Sequence, residues 1–189
     1  MNIYDPYPDE IQLDGKTYRL DLAFDNVLKV IDIQDMQELT PQDKIEAQCA
    51  LLLRRGYKDI PKDINVRIRL INAIFDLFDT GEKATERYID FHQDAKLIRS
   101  AFYRMGIDLL KEKIHFCKFL ELLADIPTDT ALYRVIELRQ KPIPKATKDN
   151  AEQIAALMKA KAKVAIKMSE DERARRFAES LKNSNALRG

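Results

Sequence analysis

The chain has 189 residues, of which 46% are hydrophobic and 33% are charged, and this predicts one globular domain with an appendage rather than two full domains. Its 32 basic and 31 acidic side chains give a net charge of +1, so overall charge does not draw it to nucleic acid or to an anionic membrane. Charge is unevenly distributed, because residues 1–53 carry 11 acidic and 4 basic side chains. This asymmetry is compatible with head-to-tail self-association and equally with an ordinary solvated surface.

Cys49 and Cys117 both lie within apolar helical patterns, with no CxxC motif and no histidine at zinc-ligand spacing. We predict reduced, buried thiols and a cytoplasmic protein. The acidic N-terminus lacks the apolar run of a signal peptide. No run approaches the roughly 18 to 20 apolar residues that a membrane-spanning helix needs.

Residues 1–22 predict a β-hairpin. Asp14 and Gly15 form the pair typical of a tight two-residue turn, and alternating apolar residues precede and follow them. This register pairs Ile11 with Tyr18 on one face of the hairpin.

Residues 23–141 predict a helical core. A first short helix contains Phe24 and Ile31, and Thr40-Pro41 supplies the N-cap and first residue of a second. A third helix follows, whose spacing of three and four predicts an inward stripe. The stripe consists of Ile64, Ile68, Ile71, Phe75 and Phe78 and is widened by Leu70, Ile74 and Leu77.

The same spacing continues from Tyr88 to Met105 and predicts a single helix that ends at Gly106. Residues 114–123 are mostly apolar and predict the most buried helix, and a short helix with Leu132 and Ile136 follows. The predicted fold is therefore mainly α: a compact bundle of about six helices with a short N-terminal β-hairpin and a C-terminal helical appendage.

Residues 142–189 predict a linker and a helical tail rich in lysine and alanine. Pro142 and Pro144 stop the preceding helix and favour an extended linker. The tail has too few apolar residues to build its own core, so we expect it to dock on the main body or to wait for a partner. Its predicted partner-binding residues are Ile154, Leu157, Val164 and Met168.

The histidines and the lysine run carry no clear chemistry. No nucleophile accompanies His115, and the acidic neighbours of His92 do not share a helical face with it. We predict structural histidines, no catalytic residue, no cofactor, no metal site and no enzymatic activity. Lys159, Lys161 and Lys163 alternate with alanines and favour a solvated or partner-facing helix over a nucleic-acid surface.

Residues 88–139 contain the most distinctive pattern. It comprises an Asp-Phe start at Asp90, Gly-Ile-Asp-Leu from Gly106, Ile-His-Phe-x-x-Phe from Ile114 and Val-Ile-Glu-Leu-Arg ending at Arg139. This pattern resembles the bacteriophage gene-product-fifteen family of long-tailed phages, whose genes lie in the tail-assembly cluster. The helix of that family often has two tryptophans after the histidine, where this chain has Phe116 and Cys117.

The resemblance implies a tail assembly chaperone in the cytoplasm of the infected or lysogenic bacterial host. Its expected partners are the tape-measure protein and other tail proteins, with a possible homo-oligomer and no membrane. Two alternatives remain open at this point. One is a DNA-associated phage accessory protein that uses the Lys-rich tail and the cluster Arg173-Ala-Arg175-Arg176, and the other is a structural subunit retained in the tail.

Overall fold

The computed structural model describes residues 4–78, 87–147 and 150–167, without the side chain of Tyr57. These residues form seven α-helices and a two-stranded antiparallel sheet. The predicted mainly α fold with an N-terminal hairpin is confirmed. Contacts divide the described residues into two compact units. Unit 1 contains residues 4–78 and 102–126, and unit 2 contains residues 87–101, 127–147 and 150–167. The boundaries predicted after residues 22 and 141 stay a prediction.

The elements follow one another in a simple order. The strands are β1 (Glu10–Leu13) and β2 (Lys16–Arg19), and a single turn of 3-10 helix covers Gly56–Lys58. The helices are α1 (Phe24–Asp35), α2 (Pro41–Leu52), α3 (Ile64–Asp76), α4 (Ala95–Arg104), α5 (Phe116–Ala124), α6 (Ala131–Gln140) and α7 (Ala151–Val164).

The hairpin has the predicted register, with Ile11 opposite Tyr18. Asp14 and Gly15 both have positive φ angles, of 52° and 74°, as a tight two-residue hairpin turn requires. The Arg69 guanidinium of α3 donates two hydrogen bonds to the Asp14 carboxylate, at 3.0 and 2.5 Å. The hairpin turn is therefore fixed to α3.

A stacked aromatic cluster forms the core of unit 1. The Phe119 ring of α5 stacks on Phe24 at 5.0 Å and on Phe102 at 5.1 Å between ring centroids. Phe116 lies 6.1 Å from Phe119 and meets the edge of Phe78 at 5.0 Å. Because these rings come from distant parts of the sequence, their packing holds α1, α5 and the end of α3 around one centre.

The extended segment after β2 connects the helices of unit 1 through its backbone. Leu20 forms a β-bridge with Leu53, and Ala23 forms one with His115. The N–H of Phe24 donates to the Ile114 carbonyl at 2.9 Å. Gln48 of α2 is buried, and its amide donates to the Val30 carbonyl of α1 at 3.2 Å, which satisfies a donor that would otherwise be costly to bury.

Two helices differ from the sequence prediction. The helix predicted from Tyr88 begins only at Ala95, because the Asp90 carboxylate accepts hydrogen bonds from the N–H groups of His92 and Gln93 and forms a local turn instead. The buried face of α3 consists of Leu70, Ile71 and Ile74, whereas Ile68 is 40% exposed. The three buried residues all belong to the predicted stripe, so α3 buries one side of that stripe and exposes Ile68.

Candidate functional site

The C-terminal helix α7 contains the predicted partner-binding residues and has no fully buried side chain along its 14 residues. Ile154, Leu157 and Val164 are half-buried and share one face with Lys161, at spacings of three and four residues. Met168 lies outside the described residues. We call Ile154, Leu157 and Val164 the α7 stripe. Their role in binding a partner stays a prediction.

Arg139, in the last turn of α6, holds the C-terminal end of α7. Its Nε donates to the Val164 carbonyl at 2.6 Å, and its two terminal nitrogens form a paired contact with the Asp94 carboxylate at 2.5 and 2.9 Å. The side chains of Arg139 and Asp94 are only 7% and 3% exposed. The Tyr88 carbonyl accepts a further bond at 2.8 Å. This buried guanidinium is thus fully paired, as its burial requires.

Lys161 of α7 makes the converse contact with the end of α6. Its ammonium donates to the carbonyls of Arg139 and Lys141, at 2.8 and 2.5 Å. The last carbonyls of a helix lack partners within the helix and carry partial negative charge. Arg139 and Lys161 therefore each satisfy a carbonyl at the C-terminal end of the other's helix.

Gln93 fixes the residues that follow α7. Its side-chain nitrogen donates to the Ala165 carbonyl at 2.9 Å, and its side-chain oxygen accepts the N–H of Lys167 at 3.0 Å. The C-terminal end of α7 is therefore attached by polar contacts to backbone groups, while the exposed linker before it makes few contacts. Along the rest of its length, packing of the half-buried α7 stripe holds α7 in place.

Sequence reasoning missed this set of polar contacts. In the sequence, Arg139 is distinctive only as the last residue of a family pattern, and Lys161 is one of several lysines in α7. The signal that could have identified them is the position of each near a helix C-terminus, where basic side chains commonly bind the last carbonyls. The specific pairing of the two helices, however, depends on tertiary structure.

His115 is the N-cap of α5, which agrees with the structural role predicted for it. Its Nδ1 accepts the N–H of Cys117 at 3.1 Å, so its Nε2 carries the proton and donates to the Pro8 carbonyl at 3.0 Å. The ring also stacks on Tyr7 at 5.0 Å. Nδ1 therefore caps α5, while Nε2 and the stacked ring hold the N-terminal segment to it.

A pocket of about 270 Å³ lies beside His115 in unit 1. Charged side chains of both signs line it, including Asp9, Arg54 and Lys113, and it is smaller than most small-molecule sites. Nearby, the Tyr7 hydroxyl donates to Glu121 at 2.5 Å, and this hydrogen bond raises the pKa of Tyr7. We see no arrangement of nucleophile and base around this pocket.

The described residues contain neither a metal-binding cluster nor a helix able to span a membrane. Within residues 4–78, 87–147 and 150–167, no group of three or more His, Cys, Asp or Glu side chains is placed to hold a metal ion. In the same ranges, no helix has the length and apolar character needed to cross a bilayer. The arginine cluster at residues 173–176 lies outside them.

Comparison with known proteins gives one match. The family described as Bacteriophage Gp15 protein matches residues 3–166, which covers all of the helices described above. No curated protein and no solved structure matches the chain. Because the match extends over most of the sequence, the chain belongs to the bacteriophage Gp15 protein family and is a phage-related protein.

Proposed function

We propose that this protein is a tail assembly chaperone that binds the tape-measure protein of its phage and keeps it soluble until the tail forms. It works in the cytoplasm of the infected or lysogenic bacterium, through helix–helix contacts and self-association rather than through catalysis. The observation that carries the proposal is that α7 is a 14-residue helix without one fully buried side chain.

The distribution of buried residues supports this reading. In the described part of unit 2, the buried apolar side chains are Ile98, Ala101 and Leu132. Unit 1 buries a longer series, which includes Phe102, Phe116 and Phe119 of its aromatic cluster. Most helices in proteins depend on packing of an apolar face for their stability. Because the α7 stripe is only half-buried, it retains apolar surface that a partner can cover.

The spacing of the α7 stripe fits a helical partner. Residues 154, 157, 161 and 164 recur at three and four positions, which is the pattern of helix-in-groove recognition. Each of Ile154, Leu157 and Val164 exposes less than about a third of its surface, so covering the remainder contributes less than about 1 kcal/mol for each side chain. A tape-measure protein with long amphipathic helices offers many such sites, so weak contacts made by many chaperone copies add up.

Co-expression with the tape-measure protein of the same phage tests the proposal. We expect the wild-type protein to keep the tape measure soluble and to purify with it. The double variant Ile154→Asp/Leu157→Asp abolishes both effects. Its matched control, Ala151→Asp/Ala155→Asp, places the same charges on exposed positions of α7 and retains both.

A tape measure that is equally soluble alone, or equally captured by both double variants, contradicts the proposal. Circular dichroism establishes that the variants retain their helices. The fate of the protein provides a second check, since a chaperone is absent from purified virions by mass spectrometry, whereas a structural tail subunit is retained.

A further inference from the structure

The turn between α1 and α2 forms an exposed acidic surface with an apolar residue at its centre. Asp35, Met36 and Glu38 are all exposed, and Met36 retains 43% of its accessible surface. Within residues 4–78, 87–147 and 150–167, the carboxylates of Asp35 and Glu38 have neither an ion pair nor a hydrogen bond. We call these three residues the acidic turn.

A complementary basic surface lies on α7. Lys159 and Lys163 are one helical turn apart and both are exposed, and Met158, which is 54% exposed, lies between these lysines and the α7 stripe around the helix. Neither ammonium group has an ion pair or hydrogen bond within the described ranges. We call these three residues the basic face. Its two lysines lie on a different side of α7 from the α7 stripe, whereas Met158 borders that stripe at Ile154.

Two of the neighbouring charged side chains are already engaged within the chain. Asp43 takes part in the capping box of α2 with Thr40, and Lys161 binds the end of α6. Residues 24–53 carry six acidic and two basic side chains, whereas residues 150–167 carry one acidic and four basic. The acidic turn and the basic face therefore carry unbalanced charge of opposite sign.

We propose that a second copy of this chain covers both surfaces: the acidic turn of one copy docks on the basic face of the next. Met36 then packs against Met158, and Asp35 and Glu38 lie beside Lys159 and Lys163. The contact joins two different surfaces, so it is head-to-tail, and every open assembly has a free acidic turn at one end and a free basic face at the other.

The contact is weak and sensitive to salt. Exposed ion pairs each contribute less than about 1 kcal/mol and are screened at physiological ionic strength. Two methionines add a small apolar centre, so the interface belongs to the transient class. The proposal does not rest on binding to the tape measure, because its ion pairs use a side of α7 different from that of the α7 stripe.

Sedimentation velocity of the full chain over a range of protein concentrations at low and high salt tests this contact. We expect wild-type protein to associate at low salt and to dissociate at high salt. Lysine reversal (Lys159→Glu/Lys163→Glu) and acid reversal (Asp35→Lys/Glu38→Lys) each weaken association about ten-fold or more, since attraction becomes repulsion. Lys96→Glu/Arg99→Glu, which makes the same charge change on exposed positions of α4, leaves association unchanged.

Mixing the variants gives the decisive result. Lysine reversal retains a native acidic turn and acid reversal retains a native basic face, so the two variants associate with each other although neither associates alone. Their two reversed surfaces also carry opposite charge, so the mixture extends with the two variants in alternation. A chain with all four substitutions associates again. A wild-type chain that stays monomeric at low salt, or reversal variants that associate as wild type or fail to pair when mixed, overturns the proposal. If lysine reversal weakens only tape-measure capture, the basic face serves that partner and the head-to-tail contact is wrong.

Discussion

Arg139 and Lys161 each donate a hydrogen bond to backbone carbonyls at the C-terminal end of the helix that carries the other. These hydrogen bonds join α6 and α7 through polar groups. The positive charges of Arg139 and Lys161 are favourable there, because the C-terminal ends of both helices carry partial negative charge. It explains how α7 keeps a defined position while burying no side chain fully.

Arg139→Ala removes the partner of a buried carboxylate. We expect the free energy of unfolding to fall by about 3 to 5 kcal/mol, because Asp94 is left charged and buried without its counter-ion. Urea denaturation followed by circular dichroism measures the change. Arg134→Ala, at an exposed position of the same helix, is the matched control and changes stability by about 0.5 kcal/mol or less. Equal effects of the two substitutions contradict the assigned role of Arg139.

Lys161→Ala releases α7 without unfolding the rest of unit 2. Loss of its two hydrogen bonds makes opening of α7 easier, so amides of residues 151–165 exchange with solvent about ten-fold faster. Hydrogen–deuterium exchange with mass spectrometry measures this effect. Lys159→Ala changes an exposed lysine of the same helix and leaves exchange as in the wild type. Unchanged exchange in Lys161→Ala shows that the contact does not hold the helix.

His115→Ala removes the N-cap of α5 together with the ring that contacts Tyr7 and Pro8. We expect a loss of about 1 to 2 kcal/mol in the free energy of unfolding, typical of a lost cap. His115→Asn keeps an acceptor for the first turn and recovers about half of that loss. Thermal unfolding compares the three proteins. If both variants are equally destabilised, the capping bond contributes nothing.

Cys49 predicts a decline of stability at alkaline pH. Burial raises the pKa of its thiol from 9.0 to about 11, so the folded protein holds this proton more tightly than the unfolded chain. The resulting stability is fully present below pH 9 and is lost as pH rises towards 11. Cys49→Ala removes this contribution, so its unfolding free energy falls less between pH 9 and 11 in urea titrations. Identical pH profiles contradict the prediction.

The local signals in the sequence predicted local structure well. Asp14-Gly15 fixed the hairpin register, Thr40 and Asp43 form the capping box at the start of α2, and Gly106 with its φ of 83° follows the end of α4. Each of these features depends on a few neighbouring residues, whose backbone preferences and hydrogen-bonding groups are visible in the sequence.

Features that depend on tertiary contacts were not predictable. Apolar residues on α3 cover more than one face, so spacing could not distinguish Ile68 from Leu70 as the buried residue. Likewise, the sequence is compatible with Asp90 and Asp94 on an exposed helical surface. In the structure, Asp90 instead stabilises a turn and Asp94 binds Arg139. The candidate site was located at α7 from its poverty in apolar residues, but the side chains that hold it were not identified.

The β-bridge between Ala23 and His115 joins residues that are 92 positions apart. A ribosome adding about 5 to 20 residues per second needs roughly 5 to 20 seconds to make the intervening chain. During that interval the nascent hairpin and first helices lack the strand partner and the Phe119 ring that complete their core. The core of the amino-terminal half is therefore completed only after α5 is synthesised. Nascent chains that pause before α5 expose apolar side chains of this incomplete core.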